Sequence, residues 1–530
     1  MRALPPLVFF LYFNALFTFE NIPSTPAMRL VFLLSIEVVL LLAILAAVRS
    51  FGWKLSRFAK ACLSFLILAL VLVRYVDITA LGVLGREFNL HGDFPHVHRV
   101  FAMFWEAMSL GSGLIVLAMA ATIVGSAFAL NWAGLTVWER ALGRKTLRQF
   151  VLYAAPVLTL GFFLAAGRAF SVPTTSIVRR QIQNLRAGEA DQRAAAEIEW
   201  PPQNLESNLH RLGGANVFLI FLESYGVTLI EDAHHFDAIG PRFRALEENL
   251  RQAKYYFASS QIYSPTFGGG SWRAHATFLS GFHVDSEHLY NALLASDRET
   301  LVSVLSGHGY RTVAAEPGIK WYWPDGKFYG FDRIYTFDDL GYKGPPMGWW
   351  KIPDQFTMYR LYQDEIRGAR KPLFAKVSLI MSHIPYFPIP EYVEDWSRFD
   401  DGTAFQGSLD SVAHDAYRDL RELSTWYVEA FRYELDILEG FLLDYVPENS
   451  LVIVVGDHQP PKLVTHNNDS WAVPMHVFSK RPELVRAFDA LGFREGLVPL
   501  HPTSLTMAGF LSSFLEIYDE PAPANEATGE

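Results

Sequence analysis

Cysteine is almost absent from this chain: Cys62 is the only one in 530 residues, and it lies inside an apolar run. One thiol excludes an intrachain disulfide framework and any zinc cluster built on thiolates. Basic character is scarce as well, with 45 Lys and Arg against 55 Asp and Glu and a formal net charge of -10. No basic stripe gathers in the polar part of the chain, which argues against nucleic-acid binding. No internal repeat is visible either. What the chain has in excess is apolar sequence: 51% of its residues are hydrophobic and 14% aromatic, against 19% charged.

The apolar residues are unevenly spread. Five runs, at 3–19, 30–48, 61–84, 107–130 and 150–167, are each near the ~20 residues that cross a bilayer as a helix. Residues 1–170 are therefore expected to form a five-span α-helical membrane domain. Arg2 and the small residues near Ala27 also fit a signal peptide, but a single leading basic residue and four later runs favour a span. Arg49, Lys54, Arg57 and Lys60 follow the second run, and Arg140, Arg144, Lys145 and Arg148 follow the fourth. The loops after the first and third runs hold little beyond Arg29, Arg86 and Arg99. By the positive-inside rule the N-terminus is cytoplasmic, and everything after the fifth span lies on the periplasmic side of the inner membrane. Arg168, Arg179, Arg180 and Arg186 run against that bias, although long exported domains translocate largely regardless of such charges. Within the spans, Arg74 and Asp77 are three apart and are expected to neutralise each other on one helix face, whereas Glu37 has no evident partner. These three charges either join helices together or line a groove for a lipid headgroup.

Residues 171–209 read as a helical stalk, polar and ending at Pro201–Pro202. Beyond it, short branched-apolar runs at 216–222, 374–380 and 451–455 read as buried strands. Helical patterns at 241–252 and 412–445 alternate with them. The expectation for 210–519 is an α/β domain with a mainly parallel sheet, followed by a disordered tail at 520–530. Ligands of such sheets sit beyond the carboxyl ends of the strands. Those ends carry Glu223, His383 and the pair Asp457–His458. Carboxylates with an imidazole suit a divalent cation, Mn²⁺, Mg²⁺ or Zn²⁺. The stretch "SPTFGGGSWRAHATFLSG" then gains a purpose. Its three glycines lead to Ser271 at the start of a helix, where a metal and unpaired amides can turn a hydroxyl into a nucleophile against a phosphate.

"NVFLIFLESYG", the glycine-led Ser271, "MSHIPYF" and "VVGDHQPP", in that order after the apolar runs, resemble the lipoteichoic acid synthase and phosphoglycerol transferase group. That group is part of the alkaline phosphatase and sulfatase superfamily. The resemblance implies one metal, commonly manganese, on Glu223, Ser271, Asp457 and His458, with Ser271 as the nucleophile. It places His383 and Trp323 at the substrate. It implies transfer of a glycerophosphoryl group from a phospholipid donor, phosphatidylglycerol, through a seryl intermediate. Serine stands where the lipoteichoic enzymes carry threonine, Glu316 where they carry histidine, and Asp325 and Lys327 near their arginine. A glycan acceptor such as a periplasmic glucan is the expectation that follows. Ser271 is followed by Trp-Arg-Ala-His, which lacks the x-Pro-x-Arg that formylglycine-dependent sulfatases require, and the absence of disulfides is unlike the phosphoethanolamine transferases. His466 and His476 are the candidates for a second metal. A phosphodiesterase with water as acceptor and a non-catalytic scaffold are the alternatives.

Overall fold

The computed structural model describes residues 4–21, 27–84, 87–94, 97–106, 110–165, 168–320, 323–345, 347, 352–384, 386–406, 422–466, 468–499 and 502–520. They divide into two compact units, Met1–Asp191 and Gln192–Glu530. The expected tail beyond 520 and residues 412–421 of the expected long helix lie outside the described residues.

In the N-terminal unit three helices among the described residues are long and apolar enough to cross a membrane: Arg57–Leu81, Leu110–Ala141 and Lys145–Ala165. The first two expected segments fold as shorter helices, Leu4–Thr18 and Ile36–Ser50, of 15 residues each. The second starts late because Ser35 caps it. Ser35 Oγ accepts the Val38 N–H at 3.3 Å, and Leu34–Ser35 pairs as a strand with Phe170–Ser171.

The buried charges pair differently from the sequence expectation. Asp77 does not take Arg74 as its partner; both of its carboxylate oxygens accept from Arg180 at 2.6 Å. Arg74 instead donates to the Phe19 carbonyl and stacks 5.1 Å from the Phe19 ring. A guanidinium whose Nη2 donates to both carboxylate oxygens outcompetes a neighbour three residues away on the same helix. Glu37 has two partners: it accepts from Ser35 Oγ at 2.6 Å and from the Thr175 N–H, in the first turn of helix Pro173–Ala196, at 3.0 Å. Asp77 and Glu37 are satisfied within this unit, whereas Arg74 Nε is buried without a hydrogen-bond partner among the described residues.

The C-terminal unit is built on one sheet. Its strands are β1 (Asn216–Leu222), β2 (Tyr256–Tyr263), β3 (Arg311–Glu316), β4 (Arg333–Thr336), β5 (Leu373–Leu379), β6 (Ser450–Gly456), β7 (Ala472–Ser479), β8 (Arg494–Glu495) and β9 (Pro502–Thr506). Among the described residues the order is β8-β2-β7-β6-β1-β5-β3-β4, with β9 alongside β2. The run β6-β1-β5-β3-β4 is parallel throughout; β7 lies antiparallel to β6 and β2.

Every residue of β1 after Asn216 is buried, because helices cover both faces. Successive side chains alternate between the faces. Phe218, Ile220 and Leu222 join a core with Phe243 and Leu246 of α1 (Ala233–Gln252) and Phe431 and Phe441 of α3 (Leu423–Asp444). Val217, Leu219 and Phe221 face Ala274 and Phe278 of α2 (Ser271–Ser280) and Phe510 of α4 (Met507–Tyr518). The rings of Phe278 and Phe510 stack at 4.0 Å. Each such buried ring contributes roughly 1.5–3 kcal/mol. The strand ends are consequently fixed: Gly456 pairs with Leu222, and Leu222 with Leu379.

Candidate active site

Because β6, β1 and β5 are adjacent, parallel and in register at their ends, the residues that follow them emerge side by side. These are Asp457–His458, Glu223 and the loop bearing His383. Gly456 is required where β6 ends, since a Cβ there would lie 1.9 Å from the Tyr225 carbonyl oxygen. Ser271 arrives from a different direction. Gly269 and Gly270 have φ of +143° and +85°, a path open chiefly to glycine, and α2 begins at Ser271. The loop is laced to the β6 turn by one carbonyl: Gln459 C=O accepts from the Gly268 N–H at 3.1 Å and from His458 Nδ1 at 2.7 Å.

The result is a tight quartet. Ser271 Oγ donates to Glu223 Oε2 at 2.8 Å and lies 3.2 Å from His458 Nε2. His458 Nε2 is 3.1 Å from Glu223 Oε1 and 3.6 Å from Asp457 Oδ2. Glu223, Asp457 and His458 each present a ligand atom within 4.8 Å of the others. Asp457 Oδ1 accepts the N–H groups of Ser224 and His458 at 2.8 and 2.7 Å, while its Oδ2 is buried without a hydrogen-bond partner.

A divalent cation fits this chemistry on three counts. Asp457 Oδ2 is an orphaned anionic acceptor. His458 has its Nδ1 engaged by a carbonyl, the arrangement that turns Nε2 toward a metal. The electrostatics are those of a site short of positive charge. Burial, and after it the Glu223 carboxylate, push Asp457 up to about 8. Burial opposes the charge on His458, yet Asp457 and Glu223 raise it to about 9. Glu223 is likewise opposed by burial, but the hydrogen bond and charge of His458, with the charge of His383, hold it well below the carboxylate range. Protons thus occupy the place of a metal's charge.

His383 is within electrostatic reach of Glu223, and its Nδ1 is bonded to the Ile384 carbonyl oxygen at 2.6 Å. Trp323 sits in the segment after β3, its ring 6.0 Å from that of Tyr329, and among the described residues it has no contact with the quartet. His476 is not a metal ligand. Its two ring nitrogens bond Ser259 Oγ at 2.6 Å and the Tyr225 hydroxyl at 2.8 Å, and burial holds it down to about 3. His466 stands at the end of the short helix Lys462–Thr465, outside the group of metal-type ligands found among the described residues.

The sequence reading missed a second buried cluster. Lys376, within the apolar run of β5, contacts Glu316, Ser378 and His275. The available signal was a lysine in the middle of a strand buried on both faces, where an ammonium is almost never found unpaired.

A third group supports the His383 loop. Asp354 Oδ2 accepts the Met381 N–H at 2.6 Å, while Asp354 Oδ1 and both Glu434 oxygens meet no donor among the described residues. Two buried carboxyls side by side favour the form in which one holds a proton for both. Burial raises Asp354 to about 6; burial, then Asp354, raises Glu434 well above its ordinary value. Folded-state values above the unfolded ones mean that the stabilising contribution is complete below about pH 4 and is lost as pH rises through 6 and beyond. Glu434→Gln supplies the shared donor permanently. Thermal unfolding of the full-length variant should show a melting temperature above wild type at pH 8, with the difference vanishing near pH 4. A variant less stable than wild type at pH 8 contradicts the shared proton.

Among curated proteins none matches this sequence. The fold is similar to that of lipoteichoic acid synthase LtaP from Listeria monocytogenes, at 14% identity over 56% of this chain and 75% of that one, with a TM-score of 0.37. It is also similar to the C-terminal periplasmic domain of EptC from Escherichia coli (14% identity, 60% and 86% coverage, TM-score 0.40). A third similar structure is the Streptococcus pyogenes phosphoglycerol transferase GacH in complex with sn-glycerol-1-phosphate (14%, 64% and 88%, 0.37). The family model described as Sulfatase matches residues 215–479, half of the chain and the span from β1 to the end of β7 that carries the whole quartet. The chain belongs to the sulfatase family.

Proposed function

We propose that this protein is a membrane-bound, metal-dependent phosphotransferase. It moves a glycerophosphoryl group from phosphatidylglycerol through a seryl intermediate to an extracytoplasmic acceptor, a periplasmic glucan. In this reading residues 1–170 anchor it in the inner membrane with the N-terminus in the cytoplasm, 171–209 form the stalk, and 210–519 carry catalysis in the periplasm. The observation that carries the proposal is Ser271 Oγ, 2.8 Å from Glu223 Oε2 and 3.2 Å from His458 Nε2 at the head of α2. A lone hydroxyl gathered into two carboxylates and an imidazole is a poor structural device and a good nucleophile site.

In the first step Ser271 Oγ bonds to the lipid phosphorus while the P–O bond to diacylglycerol breaks. The serine proton passes along its hydrogen bond to Glu223 Oε2. His383, whose Nδ1 is held by the Ile384 carbonyl, gives a proton from Nε2 to the departing diacylglycerol oxygen. In the second step an acceptor hydroxyl displaces Ser271 from phosphorus and gives its proton to His383 Nε2, while Ser271 Oγ recovers its own from Glu223 Oε2. Glu223, Ser271, Asp457 and His458 would hold a divalent cation, manganese with magnesium or zinc as alternatives, which would supply Lewis-acid stabilisation of the negative charge that develops. The N-terminal end of α2, where Ser271 stands, favours the same anion through the helix dipole.

Full-length protein in detergent with Mn²⁺, given headgroup-labelled phosphatidylglycerol with and without glucans, tests the acceptor. Label on the glucan is the expected result. Label found only in free glycerophosphate makes water the acceptor and the protein a phosphodiesterase.

A further inference from the structure

His275 lies one turn after Ser271 on α2, a spacing that sets the two side chains on one helix face. Its ring packs 4.0 Å from that of Phe221, two residues before Glu223, and it feels the charges of both Glu223 and His458. It therefore borders the quartet. Beneath it is Lys376, 3% exposed in its side chain.

An ammonium has three N–H donors and no acceptor. Those of Lys376 meet three acceptors: Glu316 Oε1, Ser378 Oγ at 2.8 Å and His275 Nδ1 at 3.1 Å. Ser378 Oγ in turn donates to Glu316 Oε2 at 2.9 Å, closing the network. His275 Nδ1 can only accept from an ammonium, so its proton is on Nε2. That Nε2 is buried and has no hydrogen-bond partner among the described residues. A buried N–H left without an acceptor is destabilising, which a structural histidine gives no reason to retain.

We infer that His275 Nε2–H is a hydrogen-bond donor to a non-bridging oxygen of the oxyanion bound at Ser271, and that Lys376 is the positioning residue that fixes its tautomer. This rests on the phosphotransferase reading only in naming phosphate as the oxyanion. The ring donates without carrying charge, since burial first, then Lys376, hold it in the neutral form. Burial opposes the charge on Lys376, and the Glu316 carboxylate, by charge and hydrogen bond, favours it.

Orthovanadate binding to the full-length, Mn²⁺-loaded protein, measured by calorimetry, separates this inference from the lipid reading. His275→Ala should weaken vanadate about 10-fold or more with Mn²⁺ affinity unchanged. His275→Gln, which keeps a donor amide, should recover part of the loss. Turnover in His275→Ala should fall about 100-fold in kcat, the cost of one oxyanion donor. Lys376→Met with Glu316→Gln removes both buried charges while preserving volume. It should fold with wild-type Mn²⁺ affinity and yet lose vanadate affinity, because nothing then holds the tautomer; a merely structural network leaves vanadate binding intact. Unchanged vanadate affinity in His275→Ala, or in the double variant, overturns the inference, as does wild type that binds no vanadate. His275-dependent vanadate binding by a protein inert toward phosphatidylglycerol removes the lipid assignment and leaves this one standing.

Discussion

Replacing Ser271 by alanine is expected to lower diacylglycerol release from phosphatidylglycerol by about 10⁴-fold or more, the scale on which loss of a nucleophile is felt when the rest of a site survives. The argument is geometric. Ser271 Oγ is the only hydroxyl in hydrogen-bond contact with both Glu223 and His458 among the described residues, and it heads α2. Its side chain supports no packing that alanine would abolish, so the variant should fold and melt like wild type. Ser271→Thr keeps the hydroxyl and is expected to retain activity within about 10-fold, a modest cost for one extra methyl group. Turnover of Ser271→Ala equal to wild type assigns the nucleophile elsewhere.

The second large effect concerns the cation. Asp457→Asn should weaken Mn²⁺ binding by more than about 100-fold, beyond the range for loss of a supporting hydrogen bond. Asp457 Oδ2 is the buried oxygen left without a donor, while Oδ1 is committed to two backbone amides that an amide oxygen can still satisfy. The variant is therefore expected to keep its backbone turn and lose its ligand. In wild type, Asp457 at about 8 and His458 at about 9 both bind protons at neutral pH. Mn²⁺ must displace those protons, so its affinity should rise between pH 7 and 9, and calorimetry in buffers of different ionisation enthalpy should register proton release. Binding that is independent of pH and buffer, or that survives Asp457→Asn, contradicts the site.

Much of this site was legible in the sequence because strand ends are legible. The runs at 216–222, 374–380 and 451–455 correspond to β1, β5 and β6 to within one residue at each end, and the polar residue that stops each run is the one at the rim. The glycines before Ser271 similarly announce a backbone in left-handed conformations. What the sequence hides is pairing across distance. Asp77 reads as the neighbour of Arg74, yet a guanidinium 103 residues later takes both of its oxygens. Lys376 hides inside an apolar run because its partners come from a neighbouring strand and a helix, and only the folded sheet brings Glu316 and His275 to it. The antiparallel side, β7 and β2, is equally silent: the middle of β2 is Ser259, Ser260 and Gln261, buried polar residues that conceal the strand until the sheet is formed. His476 shows the same limit, a metal-type residue whose role is set by Ser259 and Tyr225.

The central claim is that Ser271 becomes covalently bonded to phosphorus during turnover. Mass spectrometry of the full-length, Mn²⁺-loaded protein, quenched in acid after brief exposure to phosphatidylglycerol without acceptor, reads that bond. The account predicts a glycerophosphoryl adduct on the peptide containing Ser271, absent in Ser271→Ala. An adduct on another residue, or diacylglycerol release with no adduct at all, contradicts it.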